Sequence, residues 1–217
     1  ETDLSLKGAR KQKEMEELRR IQAQLNPHFL YNTLSTMALM AQDCGRPEVG
    51  ELLSDLRVIL KNMMSRRSDV ITVRDEVEAL RSYSAIENAV YQGNIAFDVT
   101  IDPEVEQLMV SSFLLQPLVE NAVYHGVDPT RPGGRVEVRA WREGEDLFFT
   151  VADNGRGMTQ EELMALRDGQ KQRASAGMSG LGFYGVHRKL QLMYGAAFGL
   201  SVHSEPGGGT SVTARLP

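Results

Sequence analysis

The chain has 217 residues, of which 41% are hydrophobic and 24% are charged, as in ordinary globular proteins. These proportions exclude disordered, fibrous and low-complexity classes. A net charge of −5 lacks the strong basic excess typical of nucleic-acid binders, so we expect no nucleic-acid partner. Cys44 is the single cysteine, which favours a reducing compartment. The sequence begins with Glu1, has no apolar run long enough to span a bilayer, and is expected to be a fragment of a longer chain.

The first third of the chain predicts two amphipathic helices. Apolar residues recur at spacings of three and four through residues 7–40, which predicts one long helix that is loosened at Pro27. Gly45 and Pro47 form a break, and residues 49–63 repeat the apolar spacing. Two helices with so short a link predict an antiparallel hairpin. Because a lone hairpin cannot bury both apolar stripes, we expect a homodimer that forms a four-helix bundle, or else packing on the second half of the chain.

A change of pattern marks a second domain. Thr72 and Asp75 resemble a capping box, which predicts a third helix that ends near Gly93. From Ile95, apolar and polar residues alternate, which predicts a strand. We therefore divide the chain into a hairpin domain, a connecting helix and a second domain, with the boundaries 1–68, 69–94 and 95–217.

The second domain mixes strands and helices. Its three predicted helices cover one face of a mixed sheet, which indicates a two-layer α/β sandwich and, for the whole chain, the α+β class. The predicted helices span 113–125, 159–167 and 183–194, and the later strands span 135–141, 146–153, 200–204 and 210–216.

Two polar clusters of this domain are candidates for ligand binding. Glu120 and Asn121 interrupt an apolar helix, where carboxylate and amide oxygens would suit a hard cation, although they could equally form the wet face of that helix. Asp153 ends a strand and is followed by Gly155 and Gly157. The carboxylate could accept a hydrogen bond from an exocyclic amine, and the glycines would admit a ring or a phosphate. Asn-Gly is also a common turn signal.

A third cluster is rich in glycine and precedes a helix. Gly180 and Gly182 place backbone amides at a predicted helix start, which favours phosphate binding. No Gly-Lys-Ser/Thr follows, so the segment is not a Walker loop, and a flexible loop remains the alternative.

The order of these clusters resembles the nucleotide-binding domain of the GHKL superfamily, which includes gyrase-type ATPases, heat-shock chaperones, histidine kinases and MutL and has the Bergerat fold. The resemblance implies that Asn121 holds Mg²⁺ and that Asp153 binds the adenine of ATP. It also implies that residues 159–179 form a lid over the nucleotide. The other residues that it assigns to the cofactor site are Glu120, His125 (structural or pocket-lining), Gly155, Gly157, Gly180, Gly182 and Thr210.

The first half of the chain resembles one branch of that superfamily. Residues 22–32 (QAQLNPHFLYN) look like the phosphoacceptor motif of LytS/YesM-type sensor histidine kinases, and residues 115–122 (LQPLVENA) look like their N box. The resemblance implies that His28 is phosphorylated from Mg-ATP. Asn32 lies one turn later, where it would orient water for a phosphatase reaction or make only a local polar contact.

The resemblance implies a sensor histidine kinase core that passes its phosphoryl group to an aspartate of a response-regulator receiver domain. We expect a cytoplasmic part of an inner- or plasma-membrane sensor, with membrane contact only through upstream segments. A gyrase- or chaperone-like ATPase and a non-enzymatic nucleotide-binding scaffold are the alternatives. Pro117 stands where many ATPases of this superfamily have a polar residue that activates water, which disfavours the first alternative. His187 and His203 are expected to face solvent.

Overall fold

The computed structural model describes residues 27–64, 70–167 and 182–217. The chain divides into two compact units, residues 1–65 and 66–217. The helix predicted before Pro27 and most of the predicted lid lie outside the described residues. Within those residues, no helix has both the length and the apolar character needed to cross a membrane.

The first unit contains the predicted helical hairpin. Helix α1 spans Pro27–Asp43 and helix α2 spans Pro47–Met64. Helix α2 begins with proline, whose missing N–H is not needed in the first turn of a helix. Gly45, with a φ of +70°, makes the turn between them. At Gly50 the helices approach so closely that a Cβ would lie 3.0 Å from the carbonyl oxygen of Ala38.

The hairpin leaves much of its apolar surface uncovered. Among its described side chains, the buried hydrophobic ones are Ala38 and Ile59. Met37 and Met40, which belong to the apolar stripe of α1, are 48% and 60% exposed. The described part of the hairpin therefore encloses few of its own apolar side chains.

The strands described in the second unit are β1 Val70–Thr72, β2 Ile95–Ile101, β3 Met109–Ser111, β4 Gly134–Glu143, β5 Asp146–Asp153, β6 Gly199–Ser204 and β7 Thr210–Leu216. Five of them form a sheet with the order β2-β4-β5-β7-β6. Strand β2 is parallel to β4 and every other pair is antiparallel, which confirms the predicted mixed sheet. Alternate residues of the central strands are buried, as expected for a sheet that is covered on one face.

The helices of this unit supply the second layer. Their buried side chains include Leu80, Leu118, Val186 and Leu190, which confirms the predicted α/β sandwich and the α+β class of the chain. The helices are α3 Val73–Val90, α4 Gln116–Asn121, α5 Gln160–Arg167 and α6 Phe183–Tyr194, and a short 3₁₀ turn spans Pro103–Val105.

Helix α3 belongs to the second unit by its packing. Thr72 caps it as predicted, because its hydroxyl accepts from the backbone N of Asp75 at 3.1 Å. Glu76, Leu80 and Tyr83 are buried. The connecting segment predicted for residues 69–94 therefore lies within the unit that begins at Arg66, while the boundaries predicted at residues 68 and 94 stay predictions.

Two features of the second unit differ from the sequence-based expectation. Strand β1 (Val70–Thr72) pairs with β3 (Met109–Ser111), and segments of three residues are too short to show periodicity. The helix predicted over 113–125 is wrong at its start, whereas its predicted end lies one residue before the end of the helical segment. Phe113 has a φ of +56°, so α4 begins at Gln116, and after Asn121 the backbone widens into the π-helical turn Ala122–Gly126.

Candidate functional site

The two neighbouring polar residues of the N-box helix α4, Glu120 and Asn121, differ in burial. Asn121 is the last residue of the helix and is half-exposed. Glu120 is 3% exposed, and its Oε1 accepts from Nε2 of Gln116 at 3.1 Å. The carboxylate of Glu120, predicted to be part of the cofactor site, therefore lies in the protein interior. Asn121 is partly exposed, and a side-chain amide oxygen is the kind of hard donor that Mg²⁺ prefers.

The amide oxygen of Asn121 suits a cation that is also bound by the phosphates of a ligand. No cluster of three His, Cys, Asp or Glu side chains able to hold a metal occurs in the part of the chain that the structure describes. Mg²⁺ is often bound through one or two protein oxygens together with substrate phosphates. A single amide oxygen at Asn121 fits that mode of binding.

The π-helical turn widens the chain directly after Asn121. Its hydrogen bond runs from the backbone N of Val127 to the carbonyl oxygen of Ala122 at 2.9 Å. Tyr124 and His125 are exposed, and the hydroxyl of Tyr124 donates to Glu87 at 3.3 Å. Tyr124 and His125 line a cleft of about 550 Å³ whose other walls are residues 126–129, 131–134 and 154–156. π-helical turns occur frequently at functional sites.

The sheet positions Asp153 at the edge of this region. Asp153 is the last residue of β5, and its register partner on β7 is Thr210. The carboxylate accepts hydrogen bonds from the backbone N of Gly155 at 2.9 Å and from the backbone N of Thr210. Burial raises the pKa of the Asp153 carboxyl, and these two donors act in the opposite direction. An ionised carboxylate has about four acceptor positions, so two backbone donors leave room for a ligand amine.

The glycines after Asp153 allow close contacts within the protein. A Cβ at Gly155 would overlap the carbonyl oxygen of Gly126, and a Cβ at Gly157 would overlap that of Glu205. Gly157 also has a φ of +64°. The space at both glycines is thus filled by the protein main chain, and close approach to a ring or phosphate stays a prediction.

Asn154 and Ser204 hold the loops around Asp153 through hydrogen bonds. Neither residue was predicted from the sequence to belong to the site. Asn154 accepts from the backbone N of Arg135 and donates to the carbonyl oxygen of Gly133, both at 2.8 Å. The buried hydroxyl of Ser204 donates to the carbonyl oxygen of Gly209 at 2.8 Å and lies 3.0 Å from Oγ1 of Thr210. The Asn-Gly turn signal marked the position of Asn154 but not its partners.

The start of helix α6 is the described part of the predicted phosphate loop. Gly182 is its N-terminal cap in an extended conformation, without a side chain to occupy the first N–H groups of a helix of 12 residues. Gly180 and lid residues 168–179 lie outside the described residues, whereas α5 is present as predicted.

The two histidines that were expected to face solvent differ from each other. His203 is exposed, as predicted. His187 is half-buried, and its Nδ1 accepts from the backbone N of Leu200 at 2.9 Å, so the prediction for His187 is wrong. Its ring joins α6 to the edge strand β6.

The hairpin carries the other candidate residues. His28 is the second residue of α1, and Asn32 follows one helical turn later with an exposed side chain. The carbonyl oxygen of Asn32 accepts from Thr36 Oγ1 at 2.9 Å, as part of a regular helix. The helical spacing places both residues on the same face of α1.

Comparisons with known proteins match both parts of the chain. A family described as histidine kinase matches residues 16–95, and the histidine kinase-, DNA gyrase B-, and HSP90-like ATPase family matches residues 112–217. The sensor histidine kinase YesM of Bacillus subtilis is 31% identical over 93% of this chain and 33% of its own length. The sensor histidine kinase BtsS of Escherichia coli is 34% identical, with the same coverage.

The sensor protein LytS of Bacillus subtilis is 32% identical over 93% of this chain and 34% of its own length. The chain thus spans about a third of the length of these relatives.

Solved structures share the fold of the second unit. The nucleotide-free catalytic domain of histidine kinase ThkA has a TM-score of 0.51 at 15% identity and covers 68% of this chain and 95% of its own. The mycobacterial sensor histidine kinase MprB has a TM-score of 0.50 at 22% identity, with the same coverage. At such low identity these similarities show the fold alone. The two family matches and the three relatives together show that the chain belongs to the sensor histidine kinases of the LytS/YesM type and represents their catalytic core.

Proposed function

We propose that this chain phosphorylates its own His28 from Mg-ATP and passes the phosphoryl group to an aspartate of a response-regulator receiver domain. The observation that carries the proposal is the half-buried Asp153, held by backbone N–H groups of Gly155 and Thr210 beside the turn that follows Asn121. The phosphoacceptor-like motif around His28 adds a nucleophile to that nucleotide site.

Each part of the site has a role in binding the nucleotide. The carboxylate of Asp153 would accept from the exocyclic amine of adenine, with Thr210 next to it in the sheet. The first amides of α6, capped by Gly182, would donate to phosphate oxygens. Asn121 would hold Mg²⁺, which when bound neutralises charge on the phosphates. His125, on the cleft wall, would line the pocket.

The phosphoryl transfer is a displacement at the γ-phosphorus of ATP. A neutral imidazole nitrogen of His28 attacks, a nitrogen–phosphorus bond forms, and the bond from the γ-phosphorus to the bridging oxygen breaks, so that ADP leaves. The imidazole gives up its N–H proton to water. With a reference pKa of about 6.5, much of a histidine population is neutral near pH 7. In the next step an aspartate carboxylate of the receiver domain displaces the imidazole from phosphorus.

The exposed apolar stripe of α1 supports a homodimer in which a second copy covers Met37 and Met40. Segments of the parent protein beyond these residues would anchor the core at the cytoplasmic face of a membrane. Asn32, one turn after His28, would orient water when the enzyme acts as a phosphatase.

Incubation with γ-labelled ATP and Mg²⁺ tests the proposal. We expect acid-labile label on the protein, its loss in His28→Gln, and its transfer to a receiver domain. Release of phosphate without labelled protein would instead indicate an ATPase, and nucleotide binding without either reaction would indicate a scaffold.

A second variant tests the metal assignment. Asn121→Ala should reduce labelling by about 100-fold or more, because charge neutralisation dominates catalysis of phosphoryl transfer. Its circular dichroism spectrum should match that of the unchanged protein. Normal labelling of Asn121→Ala would remove Asn121 as the metal ligand.

A further inference from the structure

Strand β1 and the first turn of helix α3 contact the segment that precedes the N-box helix α4. Strand β1 pairs with β3, with Ile71 opposite Val110. The backbone N of Val73 then donates to the carbonyl oxygen of Leu108 at 2.9 Å, and that of Arg74 donates to Glu106 at 3.0 Å. The first turn of α3 is therefore hydrogen-bonded to the stretch before α4.

A buried carboxylate on α3 adds further hydrogen bonds to the segment before α4. Glu76, on α3, is 5% exposed. Its Oε1 accepts from the backbone N of Leu115 at 2.8 Å, and its Oε2 accepts from the backbone N of Phe113 at 3.1 Å. The backbone N of Leu114 also favours the charged form. The carboxylate of Glu76 thus holds the backbone turn that immediately precedes α4.

The same turn is held from a second side. Nζ of Lys189, on α6, donates to the carbonyl oxygen of Ser112 at 2.7 Å and lowers the pKa of Glu76. Burial raises the pKa of Glu76, against the effect of Lys189 and the backbone donors. A buried charge is costly unless it is paired and hydrogen-bonded, and the carboxylate of Glu76 accepts hydrogen bonds from backbone amides before α4.

This arrangement has a direct geometric consequence for the nucleotide site. Phe113 has a φ of +56°, a conformation that is rare for a bulky residue and that is held here by the hydrogen bond to Glu76. Helix α4 begins three residues later and ends at Asn121, about 8 Å along its axis from its first residue. Because α4 is short and buried, a change in the direction of its start would displace its last residue.

We propose that Glu76 is a positioning residue that sets the direction of helix α4 and thereby the place of Asn121 in the nucleotide site. This inference rests on the proposed function, in which Asn121 holds the magnesium ion of Mg-ATP. Helix α3 thereby affects the position of Asn121 through the carboxylate of Glu76.

Glu76→Gln in the full chain is the sharpest test, because it keeps the side-chain shape. A glutamine offers one acceptor oxygen, and its NH₂ group would face the second backbone N–H. We expect the affinity for ATP in the presence of Mg²⁺ to fall by about tenfold or more, as for other residues that orient a metal ligand. The affinity for ATP in the presence of EDTA should be unchanged. Isothermal titration calorimetry measures both affinities.

Two further variants separate positioning from general damage. Glu78→Gln removes an exposed carboxylate from the same helix and should leave both affinities unchanged. In an Asn121→Ala background, Glu76→Gln should cause no further loss of Mg²⁺-dependent affinity, because the group on which it acts is absent.

The outcomes are distinct. An equal loss of ATP affinity with and without Mg²⁺, or no loss, would overturn the inference, as would an additive effect in the Asn121→Ala background. If Glu76→Gln fails to fold, Glu76→Asp, which retains both acceptor oxygens on a shorter side chain, is measured in its place by the same criteria. If the unchanged protein binds no ATP in either condition, the proposed function fails, and this inference with it.

Discussion

The hairpin and the second unit achieve stability in different ways. In the described hairpin the buried hydrophobic side chains are Ala38 and Ile59, while Met37 and Met40 remain largely exposed. In the second unit the central strands bury fully enclosed residues such as Phe149. The second unit thus contains its own core, whereas the described residues of the hairpin bury few apolar side chains among themselves.

The difference follows from the geometry of the layers. A sheet that is covered by helices buries one whole face, whereas two helices share a single interface and leave their outer apolar positions in water. Fully burying a large apolar side chain contributes about 1.5–3 kcal/mol, which the exposed methionines of α1 do not gain within the described hairpin. The second unit should therefore tolerate changes to the hairpin, while the hairpin should depend on assembly.

The largest expected effect breaks the assembly of the hairpin. Met37→Glu combined with Met40→Glu should raise the dimer dissociation constant by about 1,000-fold or more, because burying unpaired charges costs several kcal/mol. The unfolding transition of the second unit should not move. Sedimentation equilibrium measures the dissociation constant, and Glu51→Gln, at an exposed position of α2, is the control. An unchanged dimer would show that this stripe is not the interface.

The next effect acts on the second unit. Gly157→Ala should lower its free energy of unfolding by about 3 kcal/mol or more, because the new Cβ would overlap the carbonyl oxygen of Glu205. Gly207 has a similar φ, +75° against +64° at Gly157, but open space around it. Gly207→Ala should therefore cost only about 1–2 kcal/mol, the cost of the conformation alone. Urea denaturation measures both, and equal losses would contradict the close contact.

A smaller change in stability is expected when two histidines of the second unit are replaced. His187→Ala removes the acceptor for the backbone N of Leu200 and should destabilise the unit by about 1–2 kcal/mol. His203→Ala, at an exposed position, should change the stability by about 0.5 kcal/mol or less. If both variants unfold at the same urea concentration, the bond from His187 to β6 contributes nothing to stability.

The smallest effect depends on pH. Glu87 is 8% exposed and faces Tyr83, Tyr124 and Glu120, and burial raises the pKa of its carboxyl. Its contribution to stability is therefore fully present below the unfolded pKa of about 4.3 and is lost as the pH rises through the folded pKa.

The stability of the unchanged protein relative to Glu87→Gln should fall by about 0.5 kcal/mol over that range, a value reduced for solvent screening. Urea midpoints between pH 4 and pH 8 measure the trend, and Glu78→Gln controls for the loss of one exposed charge. A relative stability that rises with pH would contradict the sign.

Local sequence signals were sufficient where a structure depends on its own residues. Helix α6 was predicted with its observed ends, and the Thr72 cap began α3 where expected. The helix start predicted at residue 113 was wrong because the turn at Phe113 is held by Glu76, 37 residues earlier in the chain. No periodicity in the window around Phe113 contains that partner.

The candidate site was predictable to the same extent. Asn121 and Asp153 were predicted from their residue types and from the resemblance to the GHKL superfamily, and their roles stay predictions. The close contacts of Gly155 and Gly157 were not predicted, because the opposing carbonyl oxygens belong to loops that are distant in the sequence.

The sequence by itself determined the family and the alternation of helices and strands, and it predicted which side chains bind a nucleotide and accept a phosphoryl group. Only the tertiary structure decided which polar groups become buried partners of the backbone, as with Glu76 and His187. The physical reason is that hydrophobic periodicity and motifs are properties of neighbouring residues. A buried hydrogen bond is decided by which distant backbone groups the fold leaves without a partner.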